Sequence, residues 1–232
     1  MRVKIKLTKN TTPVPIISQH LLNGYVHKCL GANNIYHDGP SNYNISGLQG
    51  GKLDITNQTL SFENGGYFIV SSLDTIFSGK MILGVLNNTE FGYGMSFAGI
   101  DHINESFIDG WNHFATLSPF LIKIYSEKSV YKFATLKDDN FKTIVKNYLV
   151  TKLSTINPKL DLSDFDVNIP EHDDHKVKKI MVKNVINHAN QCHISIHTNR
   201  EVAELLYNIG LGQSTGSGFG TIYKTENKHM YK

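Results

Sequence analysis

Cysteine is scarce: Cys29 and Cys192 stand alone among 232 residues. Two thiols can neither fill a zinc site by themselves nor staple a disulfide framework, which points to a reducing, cytoplasmic setting. Charge is thin as well. Asp, Glu, Lys and Arg make up 19% of the chain against 40% hydrophobic residues, a balance that excludes a disordered tail or a coiled coil. No apolar run approaches the roughly 20 residues of a membrane span. The start of the chain, Val3, Ile5 and Leu7 alternating with Lys4 and Lys6, reads as a strand with one wet face and not as a signal peptide. What remains is a soluble chain long enough for one large or two small domains. Its net charge of +3 permits nucleic-acid binding without requiring it.

Punctuation and periodicity predict a helix over residues 16–30, ended by Gly31. Leu21, Leu22, Tyr25, Val26 and Cys29 share its apolar arc, and His20, Gly24, His27 and Lys28 its polar one. Strands are expected over 43–48, 52–55, 59–62 and 67–71, a second helix over 74–86 and a closing strand over 91–97. The second half repeats this grammar. A strand over 120–125 and a helix over 139–153 lead to an acidic connection, 157–175, with six carboxylates. Strands over 178–185 and 192–197 read as a hairpin, followed by a helix over 200–208 and a last strand over 221–224. The order strand, helix, strands, helix, strand, met twice, is the α+β class: two tandem ferredoxin-like (RRM-like) domains, residues 1–110 and 111–232.

From Lys176 to the end, eight basic residues face three acidic ones. Lys176, Lys178 and Lys179 on a strand are a natural place for a polyanion. The last quarter also carries Gly210-Leu211-Gly212-Gln213-Ser214-Thr215-Gly216-Ser217-Gly218-Phe219-Gly220, five glycines in eleven residues. Such a segment can cradle phosphates with free amides, helped by the Ser214, Thr215 and Ser217 hydroxyls. Two nucleotide readings fail. A dinucleotide fingerprint needs a preceding strand and a following helix, whereas here a helix precedes, a strand follows, and Thr215 sits where the third glycine belongs. A Walker loop needs a lysine, and none occurs between Glu204 and Lys224.

The order Gly210-Leu211-Gly212, five residues, Gly218-Phe219-Gly220 resembles the C-terminal glycine-rich loop of the repeat-associated mysterious proteins. Within them it is most similar to the CRISPR-associated repeat-processing endoribonucleases, the Cas-six family. Leu117-Ser118-Pro119 opening the second half, and a histidine in the loop behind the first helix, extend the resemblance along the chain. It implies tandem ferredoxin-like domains, CRISPR repeat RNA as partner, and cleavage without metal or other cofactor. The ribose 2′-OH would attack its own 3′-phosphate, leaving 2′,3′-cyclic phosphate and 5′-OH ends. It also implies possible hand-over to surveillance-complex subunits, with a homodimer left open and no membrane involved.

Because the RNA brings its own nucleophile, the protein needs proton transfer, alignment and charge stabilisation. Histidine suits the first, and His37 stands where the family has its catalytic histidine. The family's helical tyrosine would be Tyr25, although that residue lies on the apolar arc. A lysine shortly after the histidine is missing, Lys52 being the first beyond it, and Lys28 is the candidate replacement. RNA binding is expected at His20, Lys28, Lys176, Lys178, Lys179, Gly210, Gly212, Ser214, Thr215, Gly216, Gly218 and Gly220. Two other classes stand beside the nuclease: a non-catalytic RNA-binding scaffold, and an oxidoreductase or nucleotide binder. No shared metal ion is expected between His193 and His197, since a strand spaces them about 13 Å apart.

Overall fold

The computed structural model describes residues 1–31, 34–36, 42–126, 131–182 and 185–226. In chain order, the first half contains β1 (Arg2–Leu7), β2 (Val14–Pro15), α1 (Gln19–Leu30), β3 (Tyr43–Ile45), β4 (Lys52–Asp54) and β5 (Thr59–Ser61). It continues with β6 (Gly66–Ser72), α2 (Thr75–Asn87), β7 (Glu90–Gly92) and β8 (Met95–His102). The second half has β9 (Gly110–Thr116), β10 (Lys123–Tyr125), β11 (Tyr131–Phe133), α3 (Phe141–Ile156), β12 (Asp166–Asn168) and β13 (Lys176–Val182). It ends with β14 (Val185–Gln191), β15 (His193–Thr198), α4 (Arg200–Ile209), a 3₁₀ turn (Thr215–Ser217) and β16 (Ile222–Lys224).

The two halves use one plan. The first sheet runs β3-β6-β1-β8-β7 and the second β12-β15-β9-β16. Setting β7 aside, each places its second strand at one edge, then the third, the first and the fourth, with a helix on each crossover. That is the tandem ferredoxin-like arrangement, and the mixed α+β class holds. In β1 the alternation expected from sequence buries Val3, Ile5 and Leu7 with Phe68, Val26 and Met81, leaving Lys4 and Lys6 on the open face. A second core gathers Phe114, Ile194 and Ile196 of the second sheet under Val145, Leu149 and Leu206. No helix among the described residues is long and apolar enough to cross a membrane.

Several boundaries differ from the sequence expectation, each for a local reason. Helix α1 begins at Gln19 because Val14 and Pro15 pair with β5 and the Ile16 amide bonds to the Gln58 carbonyl at 3.0 Å. The strand expected over 91–97 is a tight β7–β8 hairpin, since Gly92, Tyr93 and Gly94 all take positive φ. The expected pairing of 178–185 with 192–197 is wrong. The partner of β13 is β14, and β15 leaves for the other sheet to pair with β9 and β12. Residues 185–191 hid this because they look too polar for a strand. Asn190 nevertheless lies buried, its side chain donating to the Ala134 carbonyl and accepting from the Leu136 amide, both at 2.9 Å. Within α2, Gly84 is required: a Cβ there would lie 2.0 Å from the Cys29 carbonyl oxygen of α1.

Candidate nucleic-acid interface

The halves are joined by buried polar contacts. The Arg2 guanidinium, almost wholly buried, donates to the carbonyls of Tyr207 (2.5 Å) and Ile222 and lies over the Tyr207 ring. Desolvation brings it down to about 10. Ser71 Oγ donates to Asn208 O at 2.7 Å. Asn44 of β3 donates to the Phe219 carbonyl at 2.9 Å and accepts from Thr221 Oγ1 at 2.5 Å.

The glycine-rich segment is part of this joint. Gly210, Gly212, Gly216, Gly218 and Gly220 are all buried. The amides of Gly210, Leu211, Gln213 and Gly220 bond to Leu206, Gly220, Leu121 and Pro119 carbonyls. Thr215, also buried, gives its hydroxyl to the Tyr43 carbonyl at 3.0 Å. Gly218 fits against the Gln19 side chain of α1. Where the sequence suggests an open cradle of glycine amides, these glycines and Thr215 are packed into a seam between the halves. Ser214 is exposed, with Gln213 and Ser217 half-exposed beside it. Sequence reasoning missed Lys152, whose ammonium donates to the Gly210 and Gly212 carbonyls at 2.9 and 3.1 Å. Burial lowers it to about 7. It reads as one more lysine of an amphipathic helix, and nothing local marks it.

Around the seam lie the expected polar residues. His20, Gly24 and Lys28 are exposed on α1 and His27 is half-exposed. Tyr25 is a correction: it is buried against Phe68 and Phe91, and its hydroxyl donates to the Asn88 carbonyl at 2.8 Å. Burial pushes its pKa upward. His37 lies outside the described residues. Its neighbour Tyr36 is held, the hydroxyl donating to Asp74 at 2.7 Å and the ring packing edge-on to Phe77 and Tyr43. Tyr43 Oη in turn donates to the Tyr36 carbonyl at 3.1 Å. Lys52 is spent in an exposed ion pair with Glu63.

From the seam the surface continues onto two hairpins. Gln213 Oε1 accepts from the Lys123 amide at 2.9 Å, and Phe219 clusters with Leu121, Ala189, Ile180 and Val182. The Lys123 ammonium sits over the Tyr131 ring at 4.5 Å, and Tyr125 is 62% exposed. Period two separates the lysines of β13. Lys176 and Lys178 share the face of Ile180 and Ala189, whereas Lys179 opposes His188 on the other face. The open side of the second sheet adds Trp111, His113, His193, His197 and Tyr223. His113 Nδ1 is 3.0 Å from Ser195 Oγ, and His197 meets Trp111 edge-on. The alternation of 193–197 is visible in sequence, but which set faces outward is decided by the core.

Residues 103–223, just over half the chain, match the family model described as CRISPR associated protein Cas6, C-terminal. Among curated proteins none matches by sequence. Among solved structures, a Cas6-related protein from Pyrococcus furiosus superposes with a TM-score of 0.84 at 20% identity, covering 98% of this chain and 99% of the other. One described as an RAMP protein binding different RNA substrates gives 0.83 at 18% identity, covering 97% and 100%. A Cas6 product complex, of a protein from Thermus thermophilus, gives 0.71 at 11% identity, covering 97% and 99%. At such identities the likeness is one of fold.

Proposed function

Because the chain belongs to the CRISPR-associated Cas6 family, we propose that it binds CRISPR repeat RNA and cuts it within the repeat by 2′-OH transesterification. No metal takes part in the step. The RNA supplies the nucleophile; His37 moves a proton at the 2′-oxygen or the leaving 5′-oxygen, and Lys28 offsets charge on the phosphorane. General acid–base help of this kind contributes about 10²–10⁴ in rate. On this reading residues 1–110 carry the chemistry and 111–232 most of the grip, and the protein works in the cytoplasm, where its guide RNA is handed to a surveillance complex.

The observation that carries the proposal is the match of residues 103–223 to the Cas6 family model, and Tyr36 and Tyr43 are anchored in the fold on either side of the histidine in sequence. Tyr36 bonds to Asp74, and Tyr43 bonds to the Tyr36 carbonyl and, through Thr215, to the seam. Backbone phosphates would meet His20, Lys28, Ser214, Lys176, Lys178 and Lys179, while Tyr125, Trp111 and Tyr223 offer faces for unpaired bases.

The test is incubation of the protein with repeat RNA in EDTA. Cutting persists in the chelator, His37→Ala abolishes it, and affinity stays within a few-fold. A single deoxyribose at the scissile position also stops it. Undiminished cutting by His37→Ala overturns the assignment of the proton donor or acceptor. Binding without any cutting by the unaltered protein points to an RNA-binding scaffold instead.

A further inference from the structure

The fold brings His193 against two histidines of an earlier turn, His172 and His175. His193 opens β15 and projects from the open face of the second sheet, opposite the core residues Ile194 and Ile196. His172, Asp174 and His175 lie in the turn between β12 and β13. That turn is held by the His175 amide on the His172 carbonyl (3.0 Å) and the Asp174 amide on His172 Nδ1 (3.1 Å). It is docked on the sheet because the His193 amide donates to His175 Nε2 at 2.9 Å. The rings of His172 and His193 come to 4.5 Å between centroids.

We propose that His172, Asp174 and His193 form a binding site for one divalent ion of the zinc type. One ligand atom from each lies within 4.8 Å of the other two. His172 Nδ1 and Asp174 Oδ2 are already 3.6 Å apart. A tetrahedral ion with bonds of about 2.0–2.2 Å separates its ligands by roughly 3.3–3.6 Å, so small side-chain rotations complete the set. Two imidazoles and a carboxylate suit zinc, cobalt or nickel; magnesium and calcium prefer all-oxygen shells. At His172 Nδ1 the ion replaces the turn amide. His175 is a positioning residue, steering His193 through its backbone. The groove in front is lined by Glu226 and Tyr223, and a carboxylate or water there can fill the fourth position. Lys224 also lines this groove, but its ammonium is turned away to the Ser106 carbonyl and the Phe107 ring.

The consequence is mechanical. Residues 175–192, the whole β13–β14 hairpin with Lys176, Lys178 and Lys179, lie between two ligands of the site. An ion therefore closes the base of that hairpin against the sheet. It takes no part in RNA cleavage, and the inference stands apart from the proposed nuclease reading.

The full chain, untagged and stripped by chelator, is titrated with Zn²⁺ by calorimetry and with Co²⁺ by visible absorption. One ion binds per chain with micromolar or tighter affinity, giving the visible bands of tetrahedral cobalt. At a hundredfold excess over Kd the Tm rises by about 5–10 °C. His172→Ala and His193→Ala each weaken binding by about tenfold or more. Asp174→Asn, in an exposed turn that keeps the fold, does the same. His197→Ala, on the same face beside Trp111, stays within a few-fold. Binding no tighter than millimolar, several ions per chain, or an equal loss in His197→Ala overturns the site in favour of scattered surface histidines.

Discussion

Replacing Gly220 by alanine distinguishes a packed joint from an open phosphate cradle. A Cβ at this position would lie 1.9 Å from the Leu211 carbonyl oxygen, and the residue has φ of +71°. Left-handed backbone costs a residue with a side chain about 1–2 kcal/mol. Relieving the overlap parts Leu211 from Gly220, which are linked by the Leu211 amide on the Gly220 carbonyl at 2.9 Å; the Gly220 amide holds Pro119 at 3.0 Å. Losing one such buried bond adds about 1–3 kcal/mol. The total, about 2–5 kcal/mol, is a large part of the roughly 5–15 kcal/mol that holds a domain folded. Thermal unfolding of the full chain followed by circular dichroism should show Tm lower by about 4–20 °C. Gly79→Ala is the control, because nothing lies within 4 Å of its Cβ position in α2. It should stabilise by about 0.5–1 kcal/mol through helix propensity. A Gly220→Ala protein of unchanged Tm that binds repeat RNA more weakly would refute the packed joint and restore the cradle.

Tyr25→Phe should leave the cleavage rate unchanged and cost about 1–2 kcal/mol, because its hydroxyl serves the Asn88 carbonyl; a large loss of single-turnover rate at unchanged stability would return Tyr25 to the reaction. Lys152 titrates from 10.5 in the open chain down to about 7 in the fold. Between those values the unfolded chain holds the extra proton, so stability rises with pH through that window. A neutral amine still has two N–H groups for the Gly210 and Gly212 carbonyls. Urea unfolding of Lys152→Met from pH 7 to pH 10 should lack that rise and start about 1–3 kcal/mol lower.

Much of the architecture is legible from short-range patterning, because burying one face of a strand or helix imposes a period of two or 3.6 on the residues themselves. The alternation in 2–7, the arc Leu21-Leu22-Tyr25-Val26-Cys29, of which only Leu21 is not fully buried, and the turn glycine Gly31 predict their elements. The repeated element order predicts two ferredoxin-like halves, and the sheets have that order. Where periodicity is silent, the reading slipped. Residues 185–191 conceal a strand because Asn190 is satisfied by Ala134 and Leu136, far off in the chain, and Asn187 by the Ile180 and Val185 carbonyls of its own hairpin.

The site divides along the same line. Composition and spacing single out the glycine-rich segment, yet five glycines allow both close approach of a ligand and close approach of the chain to itself. Only the packing of Gln19, Asn44, Leu121 and Lys152 around the segment decides for the second. The apolar arc already turns Tyr25 toward the core, whereas its partners Phe68 and Phe91 are not evident from sequence. The meeting of His172 with His193 is likewise a product of topology. A sheet that inserts its third strand beside its first brings side chains from distant turns to one face, and local sequence carries no record of that distance.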